Sequence, residues 1–581
     1  MRSGFHKILM PVLFSAFLLL SCKREHQHNI VLLETTDVHG MIFPYDYIEK
    51  RESSGSLASV SAYIQQESIK GDEMILLDNG DNLQGQPVVY YYNFEDTVSP
   101  HINSLVMNYM GYDAVTVGNH DIEAGHSVYD RLRSEYKFPM LAANAVNTGT
   151  GKPYFEPYTI IKKNGLKIAV FGMVTPSIPE WLPPELYSGM EFRDMVETAK
   201  EWMPVIRKEK PDLVVGLFHN GWDKNDNGIN AETGDNESNL VAYNVPGFDV
   251  IFTGHDHSVA NEKIVNVAGD TVLVLDGGSR AELVARADIK ITRGKVVKAE
   301  GKIIEMKDFK PDTEFLARFA ENDMIVKQYV DKVIGESTAT ISSRDSYFGS
   351  SSFTDMIHSL QLEISGSDIS FAAPLSFDVE IAKGQISVSD MFKLYRFENM
   401  LYTMSLSGQE IVRYLEYSYG GWINTMKNPD DHLMNFRTDN NGKLQLSSGK
   451  ARLKIPPYNF DSAAGINYVV DVTKPEGKRI TVKSLSDGRP FKPDEKYKVA
   501  INSYRGSGGG GHLTEGAGLS REDLSSRLIT STDRDLRYFI IKSIEKRGII
   551  SPSPLNNWKF IPENYIVSAR KKDYELMFGS K

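Results

Sequence analysis

A single cysteine in 581 residues leaves no partner for an intrachain disulfide and no set of thiolates for a structural zinc site. Excess positive charge is missing too. The 65 Lys and Arg against 76 Asp and Glu give a net charge of -11, whereas long nucleic acids are held by clustered cations. An anionic substrate would therefore need local positive charge, for which metal ions are a good source. The apolar run from Ile8 to Leu20 is too short for a membrane-spanning helix and follows Arg2 and Lys7, the pattern of an export signal. At 581 residues the chain exceeds what one hydrophobic core usually supports, so two domains are expected.

What the chain does have is a series of short apolar runs that end in polar, metal-binding side chains. Ile30–Leu33 leads into Asp37-Val38-His39-Gly40, and Met74–Leu77 into Asp78-Asn79-Gly80-Asp81-Asn82. Ala114–Val117 leads into Gly118-Asn119-His120-Asp121. Further on, Leu213–Phe218 precedes His219-Asn220-Gly221 and Val250–Thr253 precedes Gly254-His255-Asp256-His257. Between the first two runs, Leu57, Val60 and Ile64 lie at helical spacing. Ile102, Leu105, Val106 and Tyr109 mark a second helix, which Gly111 is placed to end.

Strands alternating with helices predict a layered α/β domain whose ligand groups gather beyond the strand C-termini. One Asp-x-His alone carries little information, since most such pairs are surface polar residues or caps. Five motifs in order point to a metal site. Carboxylates mixed with imidazoles suit Zn, Mn, Fe or similar ions, and one carboxylate can bridge two metals about 4 Å apart, the spacing used to activate water and clamp phosphoryl oxygens.

The order Asp37-x-His39, Gly80-Asp81, Gly118-Asn119-His120, His219 and Gly254-His255-x-His257 resembles the calcineurin-like metallophosphoesterases. The resemblance implies a four-layer αββα domain over 30–312 and two divalent ions of the Zn, Mn or Co type. One ion would take Asp37, His39, Asp81 and His257; the other would take Asp81, Asn119, His219 and His255, with Asp81 bridging. His120 would be the catalytic histidine. Related nucleotidases often pair it with an Asp three positions later, where this chain has Glu123, so the partner of His120 is Glu123, Asp121 or solvent. Asn144 matches a family position near the site without an assigned role, and His101, His126 and His358 match no motif.

Leu19-Leu20-Ser21-Cys22 resembles the lipobox of bacterial lipoproteins, in which the cysteine is acylated. It implies a signal peptide over 1–21, a polar tether over 22–29, and a lipid anchor at Cys22 on the periplasmic or outer side of a bacterial envelope.

Downstream, apolar residues from Leu316 to Val333 predict a helical linker over 313–335. Ser351 or Ser352 is placed to cap a helix that opens a second, smaller α/β domain over 336–562, and 563–581 reads as a charged tail. Tyr458 lies in a turn-rich context and Tyr504 beside a run of glycines. Ala372-Ala373-Pro374, Tyr458-Asn459-Phe460-Asp461 and Tyr504-Arg505 resemble the 5'-nucleotidase C-terminal domain. The similarity is greatest to the 2',3'-cyclic-nucleotide 2'-phosphodiesterase/3'-nucleotidase branch, in which tyrosines matching Tyr458 and Tyr504 hold the base. The arginine-bearing segment of true 5'-nucleotidases is replaced here by Ala372-Ala373-Pro374-Leu375-Ser376.

The expectation is a monomeric, lipid-anchored hydrolase that opens 2',3'-cyclic nucleotides and then removes the 3'-phosphate for nucleotide salvage, with no nucleic acid polymer as partner. A broad 5'-nucleotidase or nucleotide-sugar hydrolase, and a non-catalytic nucleotide-binding surface lipoprotein, are the alternatives.

Overall fold

A computed structural model describes residues 27–71, 73–225 and 237–579. Cys22 and the export signal lie outside them. The apolar runs form two six-stranded sheets. The first has the order Lys295–Glu305, Leu283–Thr292, Gln27–Thr35, Glu73–Asp78, Ala114–Thr116, Met140–Leu141. In the second the order is Val259–Val265, Thr271–Gly277, Val250–Thr253, Leu213–His219, Leu166–Val174, Tyr158–Lys163. The strands that carry the motifs pair in parallel, so their C-terminal ends lie along common edges.

The sheets stack face to face. Ile30, Leu32, Ile75 and Leu77 of the first meet Leu213, Val215, Leu217 and Phe252 of the second. The alternate residues Val31, Leu33, Leu76 and Val115 face the opposite way, onto the helices Leu57–Ser68 and Ile102–Met110. On the far face of the second sheet, Val214, Phe218 and Ile251 pack with the helices Met195–Lys208 and Glu237–Asn244. Four αββα layers result. Strands buried on both faces explain the continuous apolar runs, and each fully buried Leu, Ile or Val contributes roughly 1.5–3 kcal/mol. Gly111 closes its helix at φ 79°, donating its N–H to Met107 O.

Three expected boundaries differ. The first strand begins at Gln27, inside the stretch read as tether, and 27–29 pair with 290–292. The linker is two helices, Thr313–Arg318 and Ala320–Asp331, broken at Phe319. Phe315 and Phe319 are buried in the first domain's core, and from Val333 the chain is already a strand of the second domain. The charged tail is a helix, Glu563–Phe578. It buries Ala569, Met577 and Phe578, and Asp573 accepts bonds from His432 Nδ1 at 2.5 Å and from the N–H groups of Leu433 and Met434 at 2.7 and 2.9 Å.

The second domain centres on a five-stranded sheet in the order Ser462–Ala464, Ile369–Ala372, Lys496–Asn502, Met400–Ser407, Leu528–Asp535. The helix Ser352–Ser365, capped by Ser351, and the helix Gly408–Trp422 pack with it. Among the described residues no helix is long and apolar enough to cross a membrane.

Candidate metal centre and substrate cavity

Asp37, His39, Asp81, Asn119 and His120 leave the first sheet, and His219, His255 and His257 the second. The turns that deliver them are strained. Asp37 and His39 lie at φ 49°, Asp81 and His257 at 56°, and His255 at 77°. Left-handed backbone of this kind costs of order 1–3 kcal/mol per residue and persists only where the surroundings impose it. Here Asp37 N–H donates to Gly80 O and His39 N–H to Asp81 O, both at 3.0 Å. A side chain at Gly118 would collide with the Asp81 carboxylate, and one at Gly80 would reach within 2.5 Å of Gly118 N. The glycines of the two motifs let these turns interlock.

The side chains form two groups with metal-ligand geometry, Asp37 with His39 and His257, and Asp81 with His219 and His255. In the first, Nε2 of His39 faces Nε2 of His257 at 2.9 Å, and Asp37 Oδ1 is 3.4 Å from the latter. In the second, His219 Nε2 lies 3.2 Å from Asp81 Oδ2, and Asn119 Oδ1 lies 3.2 Å from His219 Nε2 and 2.8 Å from His255 Nδ1. His39 Nδ1 and His219 Nδ1 donate to the carbonyls of Gln84 and Asn79 at 3.0 and 2.6 Å. With Nδ1 engaged by a backbone carbonyl, Nε2 is the ring atom turned toward the site, the arrangement usual in metal-ligating histidines.

Divalent cations suit this donor set. Asp37 Oδ1 is buried without a hydrogen-bond partner, and two imidazole nitrogens converge where a positive charge would satisfy both. Burial pushes His39 down to about 4, against Asp81, so it is neutral and free to ligate. For His219 burial also opposes the proton, but Asp81 and Asp37 outweigh it and push the imidazole up to about 10.

His120 stands beside these groups. Its ring is 5.5 Å from that of His39, and its backbone N–H donates to Asp81 Oδ1 at 2.8 Å. Glu123 Oε2 lies 2.5 Å from Nδ1. Burial would lower the imidazole, but Asp81 and then Glu123 push it up to about 10. Asp121 takes no part in this pair. Its carboxylate accepts the N–H groups of Gly118, Asp81, Asn82 and Leu83 at 2.8–3.1 Å and holds the Asp81 turn.

A cavity of about 330 Å³ opens from this edge toward the second domain. Asn119, His120, Glu123 and His255 line one side, and Tyr458, Tyr504 and Phe397 the other. Tyr458 is 37% exposed, an open aromatic face, and Phe397 meets its ring edge at 5.9 Å. Arg505, next to Tyr504, is buried. It pairs with Asp461 at 3.0 Å and donates to the carbonyls of Tyr458 at 2.6 Å and Gly509 at 2.9 Å, tying together the two loops that carry the tyrosines. Asn144 bonds Val174 and Arg193 backbone groups, His101 caps a helix and His358 bridges Ser370 and Ser462.

Sequence reasoning missed several walls of the cavity: Trp181, whose indole lies 5.4 Å from the His255 ring at 22°, and Leu182, Phe397 and Asn399. None belongs to a motif. Asn502 and Leu375 also line it, the latter in the stretch Ala372-Ala373-Pro374-Leu375-Ser376 already singled out.

Two stacked sheets with Asp, Asn and His at their common edge define a metallophosphoesterase, and the calcineurin-like phosphoesterase family model matches residues 30–259. The 5'-nucleotidase C-terminal domain model matches residues 333–515, and the chain belongs to the family that joins these two domains. It is 27% identical to a trifunctional nucleotide phosphoesterase of Bacillus subtilis over 96% of its length, and spans 41% of that longer protein. With a 2',3'-cyclic-nucleotide 2'-phosphodiesterase/3'-nucleotidase of Haemophilus influenzae it shares 26% identity, covering 93% of this chain and 88% of the relative. The crystal structure of a provisionally assigned 5'-nucleotidase from Staphylococcus aureus superposes with a TM-score of 0.74 at 20% identity, covering 92% of this chain and 99% of that one. That likeness concerns the fold.

Proposed function

We propose that the enzyme hydrolyses ribonucleoside 2',3'-cyclic phosphates to 3'-nucleotides, and these to nucleosides. The observation that carries the reading is the shared cavity, where Asn119, His120 and His255 face Tyr458 and Tyr504. Phosphate chemistry and base capture then occupy one chamber. The name of the Haemophilus relative supports the choice of linkage, as does Ala372-Ala373-Pro374-Leu375-Ser376 in place of an arginine-bearing segment.

Asp37, His39 and His257 would hold one ion of the Zn, Mn or Co type and Asn119, His219 and His255 the other, with Asp81 shared. Bound there, such ions supply the Lewis acidity that activates water and neutralises phosphoryl charge. The remaining work falls to the chain itself. Glu123 fixes Nδ1 of His120, which leaves Nε2 to donate to the departing oxygen, O2' when the ring opens and O3' in the second turnover. Tyr458 and Tyr504 stack on the base and tolerate any base, since each has a π-face. Trp181 and Leu182 form the wall of the cavity next to His255.

The export signal and the acylated Cys22 belong to the same proposal: a monomer tethered to the envelope that salvages nucleosides. Labelled palmitate should enter the wild type and not a Cys22→Ala variant. The main test is phosphate release from 2',3'-cyclic AMP, 3'-AMP and 5'-AMP with Mn, Co and Zn supplied in turn. The cyclic and 3' substrates should lead; a strong preference for 5'-AMP overturns the reading.

A further inference from the structure

The two histidines grouped with Asp81 have different surroundings. His219 is fully buried, whereas His255 is half-buried and reaches the substrate cavity. The backbone of His255 is fixed from behind, at φ 77° with its N–H donating to Asp37 Oδ2 at 3.0 Å. Its Nδ1 lies 2.8 Å from Asn119 Oδ1, on the side of the second ligand group. An imidazole ligates well only when its ring plane is held on the ion. On the cavity side that plane is covered by Trp181, whose indole lies 5.4 Å from the ring centre at 22°, an offset stack.

Trp181 is itself anchored. It closes the one-turn helix Ile178–Trp181. Ile178 is fully buried in the first domain's core, and Leu182, 6% exposed, belongs to the same cluster. Further along the segment, Leu186 O accepts from the Tyr129 hydroxyl at 2.9 Å, and Ser188 O lies 2.9 Å from His126 Nε2. On its other side the short helix lies against Ser503–Gly506, the second-domain helix that carries Tyr504. Glu180 pairs there with Arg521 at 2.9 Å. That ion pair is half-exposed and is worth little alone, so the apolar anchorage is what holds the indole in place.

From this geometry we infer that Trp181 is a positioning residue for His255, holding its imidazole in the orientation that ligates the second ion. The inference rests on the assignment of His255 to that ion. Two effects act together. The stacked indole restricts rotation of the imidazole, so less side-chain freedom is lost on ligation. Ligation also draws electron density from the imidazole, and a ring made more positive is attracted more strongly to an indole face. The stack is therefore tighter in the loaded protein than in the empty one, and that difference raises the affinity for the ion. Because Trp181 stacks on a ligand of the second ion, the effect falls on that ion and not on the one held by Asp37, His39 and His257.

The test follows metal retention and needs no substrate. Zinc-loaded protein is dialysed against buffers of graded free zinc, and elemental analysis counts the ions kept. Trp181→Leu fills space without offering a ring face. It should release one of the two ions at about 2- to 12-fold higher free zinc than the wild type, the range of one aromatic pair, with the other ion within about twofold. Trp181→Phe, which keeps a ring, should recover most of the lost affinity, and Trp181→Met serves if the leucine variant does not fold. In a His255→Ala background the leucine change should leave retention of the remaining ion unaltered. Wild-type retention in Trp181→Leu, equal weakening of both ions, or the same shift in the His255→Ala background overturns the inference. A wild-type protein that holds fewer than two zinc ions overturns the metal assignment itself, and is seen before any variant is made.

Discussion

The Glu123 carboxylate stands 2.5 Å from His120 Nδ1, while Asp121, the histidine's neighbour in sequence, turns away to bind four backbone N–H groups around Asp81. The two acids divide the labour of one short helix. Glu123→Gln should lower kcat by about 100-fold with metal content unchanged, the scale of a lost proton-transfer partner. Asp121→Asn should instead release the Asp81 turn and weaken metal binding by about 10–100-fold. Elemental analysis beside kcat separates them, and a Glu123→Gln variant that loses its metal would reverse the assignment.

Asp81 joins the two sheets at the site, touching His219 through Oδ2 and the His120 amide through Oδ1. Asp81→Asn should lower turnover by more than the about 100-fold expected of a supporting residue. Metal content should fall in step. Near-normal turnover would remove Asp81 from the centre.

Tyr458 and Tyr504 should act through binding. Stacking worth ~1–3 kcal/mol per base predicts that either Tyr→Ala change raises KM for 3'-AMP by about 5- to 150-fold. Tyr→Phe keeps the ring and should stay close to wild type. If Tyr→Phe weakens binding as much as Tyr→Ala, the hydroxyl and not the ring is the contact.

Acid should weaken the second domain through His358, which bridges Ser370 and Ser462 and which burial pushes down to about 3. In the unfolded chain the imidazole takes a proton near pH 6.5. Its stabilising contribution is therefore complete above that value and is lost as pH falls from 6.5 toward 3. Between pH 7 and pH 5 the loss is ~2 kcal/mol. A His358→Asn variant, less stable at pH 7, should lose about that much less over the same interval. Urea titrations at the two pH values measure the difference, and parallel losses would exclude His358 as the cause.

The helix Glu563–Phe578 should be indispensable to the second domain. Phe578 packs against Phe377 at 5.1 Å and Tyr347 at 5.8 Å, and Met577 is fully buried. Ending the chain at Pro562 opens a cavity of several side chains, with ~3 kcal/mol or more of lost stability and a lower melting temperature. Circular dichroism would register it; an unchanged melt would return the segment to the status of a tail.

Legibility in the sequence followed chain-local physics. Asp37, Asp81, Asn119, His219 and His255 each come shortly after an apolar run, so strand ends and ligands announced each other. The αββα layering came from resemblance, since periodicity alone does not say how sheets stack. Trp181 and Phe397 were not legible, because neither belongs to a motif and each reaches the cavity only through the tertiary fold. In Glu563–Phe578, Arg570, Lys571 and Lys572 concealed an apolar face carried by Ala569, Met577 and Phe578.

Both ligand groups draw on both sheets: Asp37 and His39 meet His257, and Asp81 and Asn119 meet His219 and His255. An ion held there is a cross-link between the two layers of the first domain, the task a disulfide performs in other proteins and that a lone cysteine cannot. Metal supply would then govern how long the protein resists unfolding and proteolysis as well as how fast it turns over.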